Sequence, residues 1–296
     1  MKKTLLLLYI SSCFIFACSG SFAAVFGDCN YTAFCPQKAY HLSSQMGQKI
    51  SMRIGATRLS EKIAEARIKD ELKKVTKQKL NVSVSSYSFQ DLFHGRMKTI
   101  VISGKNLNFE GVYLSSLELK TLCDFNYVQL DKDPIRFKEN MIMSFSTVIS
   151  DKDLMKTMES SGYLDKLNCV NVKGCGITFF QLSGAGVKIA KNKLFFKVRV
   201  TSQLLLEKPL DIAMSTDLTA KKGRIILTKM DLGNFAKGLD LTKVANQINT
   251  MNPLTFSLEV LENKNTKMCI KNVEISGDKI LVSGNIFIPK NATLRK

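Results

Sequence analysis

Beyond its first two dozen residues, the sequence has no apolar run near the ~20 residues that a membrane-spanning helix needs. It has only two histidines, His41 and His94, and no C-x-x-C, so little is available to build a zinc site. G-x-S-x-G, H-E-x-x-H and P-loop patterns are missing, and no catalytic residue set can be named. Nothing calls for a cofactor. No Pro/Ser-rich linker or compositional break interrupts residues 40–290, and proline is absent from Ser43 to Lys79. Acids are in the minority, 25 against 43 Lys and Arg. Disorder is excluded by composition, since 45% of the residues are hydrophobic and only 23% charged.

The first residues read as an export signal. Lys2 and Lys3 precede an apolar run from Thr4 to Ala17, and Ser21-Phe22-Ala23 forms an A-x-A-like cleavage site. Cleavage after Ala23 removes 23 of the 296 residues and leaves 273. Ile15-Phe16-Ala17-Cys18 resembles a lipobox that would lipidate Cys18, but Phe16 suits its position poorly and ordinary cleavage is favoured. Losing Lys2 and Lys3 leaves 41 basic residues against 25 acidic ones, a surplus of 16. Export turns that surplus away from nucleic acid and towards an anionic membrane surface or envelope polymer. Six cysteines survive cleavage: Cys29, Cys35, Cys123, Cys169, Cys175 and Cys269. In an oxidising compartment they predict disulfides. Pairing close neighbours, Cys29 with Cys35 and Cys169 with Cys175, leaves Cys123 for Cys269. This is one of many connectivities that six cysteines permit.

Ser43 to Lys79 reads as helix, rich in Ala, Glu, Lys and Arg. Its apolar stripes are Met46, Ile50 and Ile54; Leu59, Ile63 and Ala66; and Ile68, Leu72 and Val75. They share no single face, which predicts a break near Gly55 or contact on two sides. After Leu80 the period becomes two. It shows in Met141–Ile149, Leu194–Leu206, Leu254–Val260 and Ile280–Ile288, the mark of antiparallel strands with one apolar and one wet face. Ser276-Gly277-Asp278-Lys279 predicts a hairpin tip. Ser150-Asp151-Lys152-Asp153 caps a short helix carrying Leu154, Met155 and Met158, with Asp151 read as the cap. A second short helix is expected over Leu241–Met251. Ile102-Ser103-Gly104 and Ile275-Ser276-Gly277 hint at two sheet halves of similar build.

Individual polar residues suggest little chemistry. His41 and His94 read as turn or packing residues, and lysines separate the acid pairs Asp131/Asp133 and Asp151/Asp153. Apolar surface is what remains. Long one-sided strands enclose either a solid core or a channel for acyl chains, with Phe145, Leu194, Phe196, Val198, Phe256 and Ile286 as lining. Each methylene removed from water contributes about 0.8 kcal/mol, so an acyl chain gains on the order of 10 kcal/mol.

The segment Val82-Ser83-Val84-Ser85-Ser86-Tyr87-Ser88-Phe89-Gln90-Asp91-Leu92-Phe93-His94-Gly95-Arg96-Met97, leading into Thr99–Gly104, resembles the LmeA family of phospholipid-binding exported proteins (the DUF2993 domain). Leu114, Leu117 and Leu119 are similar to that family's leucine-layered strand. Val148–Leu154 and Val273–Gly284 match its later helix start and closing strands. The resemblance implies a tubular lipid-binding fold: a strongly curved antiparallel sheet wrapped around a long helix, with phospholipid chains in the apolar interior. The six cysteines, and Ser88 and Gln90 around Phe89, depart from its pattern.

The expectation is therefore an α+β protein with four parts. These are a signal peptide at 1–23, a cysteine-containing lead-in at 24–42, one lipid-binding domain at 43–290 and a tail at 291–296. Its expected role is to shelter or transfer phospholipid in the periplasm or at the envelope, without enzymatic activity. The rivals are an envelope scaffold with the same fold and a solid core, and an envelope hydrolase using His94.

Overall fold

The computed structural model describes residues 29–36, 41–109, 111–160, 171–174, 177–201, 210–231, 254 and 266–292. A 3₁₀ turn, Tyr31–Phe34, comes first. The helical region consists of α1 Gln45–Arg53 and α2 Ala56–Thr76. They part at Gly55, whose φ of +75° is open to glycine at no steric cost. This is the break that the diverging stripes predict.

The first strands are β1 Asn81–Ser85, β2 Arg96–Met97, β3 Thr99–Phe109, β4 Val112–Thr121 and β5 Asn126–Gln129. They continue with β6 Arg136–Phe137, β7 Met141–Ser150, β8 Asn171–Gly174, β9 Ile177–Ala190 and β10 Lys193–Thr201. The last are β11 Leu210–Lys221, β12 Arg224–Asp231, β13 Lys267–Ser276 and β14 Lys279–Ile288. The short helices are α3 Phe89–Phe93 and α4 Asp151–Ser160.

Alternation settles which face each strand buries. Met141, Met143, Phe145, Thr147 and Ile149 are buried along β7, and Ile280 and Val282 along β14, where Leu281 is exposed. In β10, Leu194 and Phe196 are buried, while Lys197 and Arg199 on the alternate face are exposed. The Ser276–Lys279 tip is a two-residue turn through Gly277 and Asp278. In α4 the cap is Ser150 rather than Asp151. The Ser150 N–H donates to Asp153 Oδ2 at 2.9 Å and the Asp153 N–H donates to Ser150 Oγ at 3.2 Å, a reciprocal capping box.

The strands assemble into three antiparallel sheets. Six strands run β1-β3-β4-β7-β14-β13, five run β12-β11-β10-β9-β8, and β2-β5-β6 form a small third sheet. Ile102-Ser103-Gly104 and Ile275-Ser276 belong to the same six-stranded sheet, with Gly277 in the turn that follows, so they do not mark two separate sheets. The two large sheets meet where the Ile270 N–H of β13 donates to the Gly223 carbonyl in the β11–β12 turn at 2.9 Å. One apolar cluster runs through both, from Ile68 and Leu107 through Phe145 and Leu154 to Leu194 and Ile225. Of the run Leu254–Val260, only Leu254 is described; it is helical and buried rather than extended. The helix expected over Leu241–Met251 lies outside the described residues.

The disulfides join Cys29 to Cys269 and Cys35 to Cys123, each pair 5.4 Å apart between Cα atoms. This overturns the expected pairings Cys29–Cys35 and Cys123–Cys269. Cys29 and Cys35 flank the 3₁₀ turn, which lies on the far side of the six-stranded sheet. There Tyr31 and Phe34 pack edge-on to Phe287, at 6.0 and 5.5 Å between ring centroids. From that seat the two ends of the turn reach in different directions, one to β13 and the other to the segment after β4. Each bond closes a long loop, 240 and 88 residues in separation, for which chain-entropy arguments give about 5 kcal/mol. Cys18, Cys169 and Cys175 lie outside the described residues.

Candidate functional site

Two features stand out, an apolar cavity and a helical tip. The cavity, of about 180 Å³, lies between the end of α2 and the six-stranded sheet. Leu72 and Thr76 of α2, with Leu80, form one wall. Ile102, Phe109, Leu114, Leu117 and Leu119 of the β3–β4 hairpin form another. Phe145 and Thr147 of β7, Thr266 and Met268 at β13, and Ile286 of β14 complete the lining. No charged group is among them. The Thr147 hydroxyl donates to the Ser116 carbonyl and the Thr76 hydroxyl to the Leu72 carbonyl, both at 2.8 Å, so the single donor of each is already used.

Local backbone choices shape this lining. Gly284 faces Phe145 across the β7–β14 ladder. A Cβ there would fall 2.1 Å from the Cys269 carbonyl oxygen and 2.8 Å from the Phe145 ring, so glycine lets β13 and the ring close on the strand. The volume is near the ~150 Å³ of a cavity that accepts benzene and below the ~300 Å³ where ligand pockets usually begin. It therefore matches one short apolar segment, not a whole two-chain lipid.

Of the residues expected to line a cavity, the structure brings Phe145 and Ile286 together here. Leu194 and Phe196 are buried in the same core, in β10, but do not line this cavity. Val198 belongs to β10 by its backbone, its side chain lying outside the described residues, and Phe256 is outside them altogether.

The tip comprises α1, the Gly55 turn, the first half of α2, and α3. Among the described residues, eleven large hydrophobic side chains are exposed, and eight of them are here: Met46, Ile50, Met52, Ile54, Leu59, Ile63, Phe89 and Phe93. Met46 is 73% exposed, Ile54 72% and Phe93 79%, far from marginal values. No residue of α1 is buried. The stripes Met46/Ile50/Ile54 and Leu59/Ile63, which read as packing faces, thus face solvent. Of the third stripe, Ile68 and Leu72 pack inward, together with Ala64, while Val75 is exposed.

Buried polar bonds hold the tip together. The Asp91 carboxylate accepts from Ser43 N–H at 3.0 Å, Ser43 Oγ at 2.5 Å and Ser88 Oγ at 2.6 Å, with Arg96 Nη1 at 3.7 Å. Burial pushes its pKa up. The hydroxyl bonds from Ser43 and Ser88, the Ser43 N–H and the Arg96 charge outweigh this and hold it below the usual carboxylate range. Arg96 also donates to the His41 carbonyl. Ser51 Oγ accepts from the Phe89 N–H at 3.0 Å and pairs with Thr57 Oγ1 at 2.7 Å, so α1, α2 and α3 are mutually tied.

Chemistry at the expected polar residues is limited. His94 Nδ1 lies 2.7 Å from the Gln90 carbonyl and its ring is exposed beside Phe93. Among the described residues no histidine bonds a carboxylate or hydroxyl side chain, and no group of three His, Cys, Asp or Glu could hold a metal ion. Asp153 is committed to Ser115 and Ser150.

Reading the sequence missed both Asp91 as a hub and the outward tip. The available signal was the lack of any acid from His41 to Ser60, beside Lys49, Arg53 and Arg58. No family model, curated protein or solved structure matches the chain.

Proposed function

We propose that the protein is an exported phospholipid-binding protein that shelters or moves lipid at the cell envelope, taking an acyl segment into the cavity between α2 and the six-stranded sheet. The observation that carries this reading is a lining drawn from six elements without one charged side chain. The likeness to the LmeA family supports it, and with it a sheet that curves around the helix. The disulfides Cys29–Cys269 and Cys35–Cys123 fit an oxidising compartment, and we place the protein in the periplasm. No described helix is long and apolar enough to cross a membrane.

The cavity's small volume favours one rival, an envelope scaffold with an essentially solid core. The test is purification of residues 24–296 from an oxidising compartment, solvent extraction and mass spectrometry. Stoichiometric phospholipid is expected, falling when Leu117→Phe or Thr147→Phe fills the cavity. A folded protein that is empty and refuses added lipid establishes the scaffold instead.

A further inference from the structure

We propose that the α1–α2–α3 tip is a docking surface for an anionic phospholipid bilayer. Three observations carry the inference. Eight exposed apolar side chains gather on it, and two of them, Phe89 and Phe93, are rings 6.3 Å apart on one short helix. Monomeric proteins rarely keep such a patch in water without a partner for it.

Charge identifies the partner. From His41 to Ser60 the chain has no acid, while Lys49, Arg53 and Arg58 are exposed and make no ion pair among the described residues. An apolar face edged by cations is the composition of a helix that lies in a headgroup layer. A second copy of this chain fits less well, because self-pairing would set Lys49, Arg53 and Arg58 against their own kind, while the tip's acids are already engaged: Glu61 by the Ser86 N–H, Glu65 by Lys62 and the Val84 N–H, and Asp91 by Ser43, Ser88 and Arg96.

The third observation is rigidity. Asp91, Ser43, Ser88 and Ser51 fix α1 and α3 against each other, so the apolar side chains are presented outward by a built frame. The tip and the cavity are distinct, since Leu59 and Leu72 are separated by about 20 Å along α2. Docking therefore stands or falls independently of what the cavity holds.

The chain contains no tryptophan, which makes an introduced one an unambiguous reporter. Disulfide-intact protein carrying Phe93→Trp is mixed with phosphatidylcholine vesicles with and without phosphatidylglycerol, and Leu281→Trp on β14 serves as the remote control. The expected result is a blue shift and vesicle flotation for Phe93→Trp with the anionic vesicles, and no shift for Leu281→Trp. Arg53→Gln with Arg58→Gln weakens flotation about fivefold per lost cation. Phe89→Ser with Phe93→Ser weakens it at least tenfold, with the melting midpoint and co-purified lipid unchanged.

Three results overturn the proposal: wild-type protein that floats with neither vesicle, variants that float as well as wild type, or a concentration-dependent dimer that the serine variants dissociate. The last assigns the surface to a second copy. Co-purified lipid, measured in the same preparations, reports on the cavity separately.

Discussion

The two halves of α2 share a helical period and meet different fates. In the second half Ile68 is buried and Leu72 lines the cavity. In the first half Leu59 and Ile63 point to solvent, and the sheet-facing side is attached by carboxylates. The Val84 N–H donates to Glu65 at 3.1 Å and the Ser86 N–H to Glu61 at 2.8 Å. β1 is an edge strand, and its outward N–H groups would otherwise be open to pairing with another chain. A helix packs its apolar stripe where the wall opposite is apolar. Where the wall is a row of backbone donors it offers acceptors, and its apolar residues are left for another partner.

The largest effect should come from the frame that holds the tip. Asp91→Ala leaves the Ser43 and Ser88 hydroxyls and the Ser43 N–H without their acceptor and Arg96 without its counter-charge, and we expect a loss of about 3–5 kcal/mol in urea unfolding. Next, Ile68→Ala should cost about 3 kcal/mol through its cavity. Ile63→Ala, five residues before it on the outward face, should stay within ~0.5 kcal/mol. Equal costs for Ile63 and Ile68 would erase the contrast between the halves.

Much of this was legible beforehand. Period-two alternation placed β7, β10 and β14 and their buried faces, the diverging stripes placed the break at Gly55, and Phe145 and Ile286 were named as lining. What was not legible depends on partners distant in the chain. A stripe such as Met46/Ile50/Ile54 has the same pattern whether it meets a core or water, and nothing local distinguishes the two. Close spacing suggested Cys29–Cys35, but the turn between them is seated on Phe287, more than 250 residues on, and that seat directs each sulfur elsewhere. The division of the strands into two large sheets likewise follows from long-range pairing.

Acidity should act through two carboxyls, Asp91 in the tip and Asp153 at the start of α4. Asp91, as described, and Asp153 are both held below the ordinary carboxylate range. For Asp153, burial opposes the shift, and hydroxyl bonds from Ser115 and Ser150, the Ser150 N–H and the Lys156 charge outweigh it. A carboxyl with a depressed folded pKa stabilises fully above its unfolded value and loses that contribution as pH falls through the folded one. Stability should therefore be flat near neutrality and decline below about pH 4. Asp91→Asn should flatten its share of that decline, as unfolding midpoints across acid pH would show. An unchanged acid limb would mean that the Asp91 hub does not titrate with folding.

The smallest effect tests the attachment of α2's first half. Glu61→Ala and Glu65→Ala each remove an acceptor from a partly buried N–H, that of Ser86 just past β1 and that of Val84 within it, which should cost about 1 kcal/mol apiece. Hydrogen exchange is the sharper readout, because the Ser86 and Val84 amides should each lose protection in the matching variant, while Ile102 on the neighbouring strand β3 keeps its own. The double variant uncovers the β1 edge and should self-associate faster on warming. If Val84 and Ser86 stay protected, the helix is held at this end by the Asp91 frame alone. The carboxylates would then be a cover for the strand edge, not a tether, and the contrast between the halves would be one of docking face against packing face.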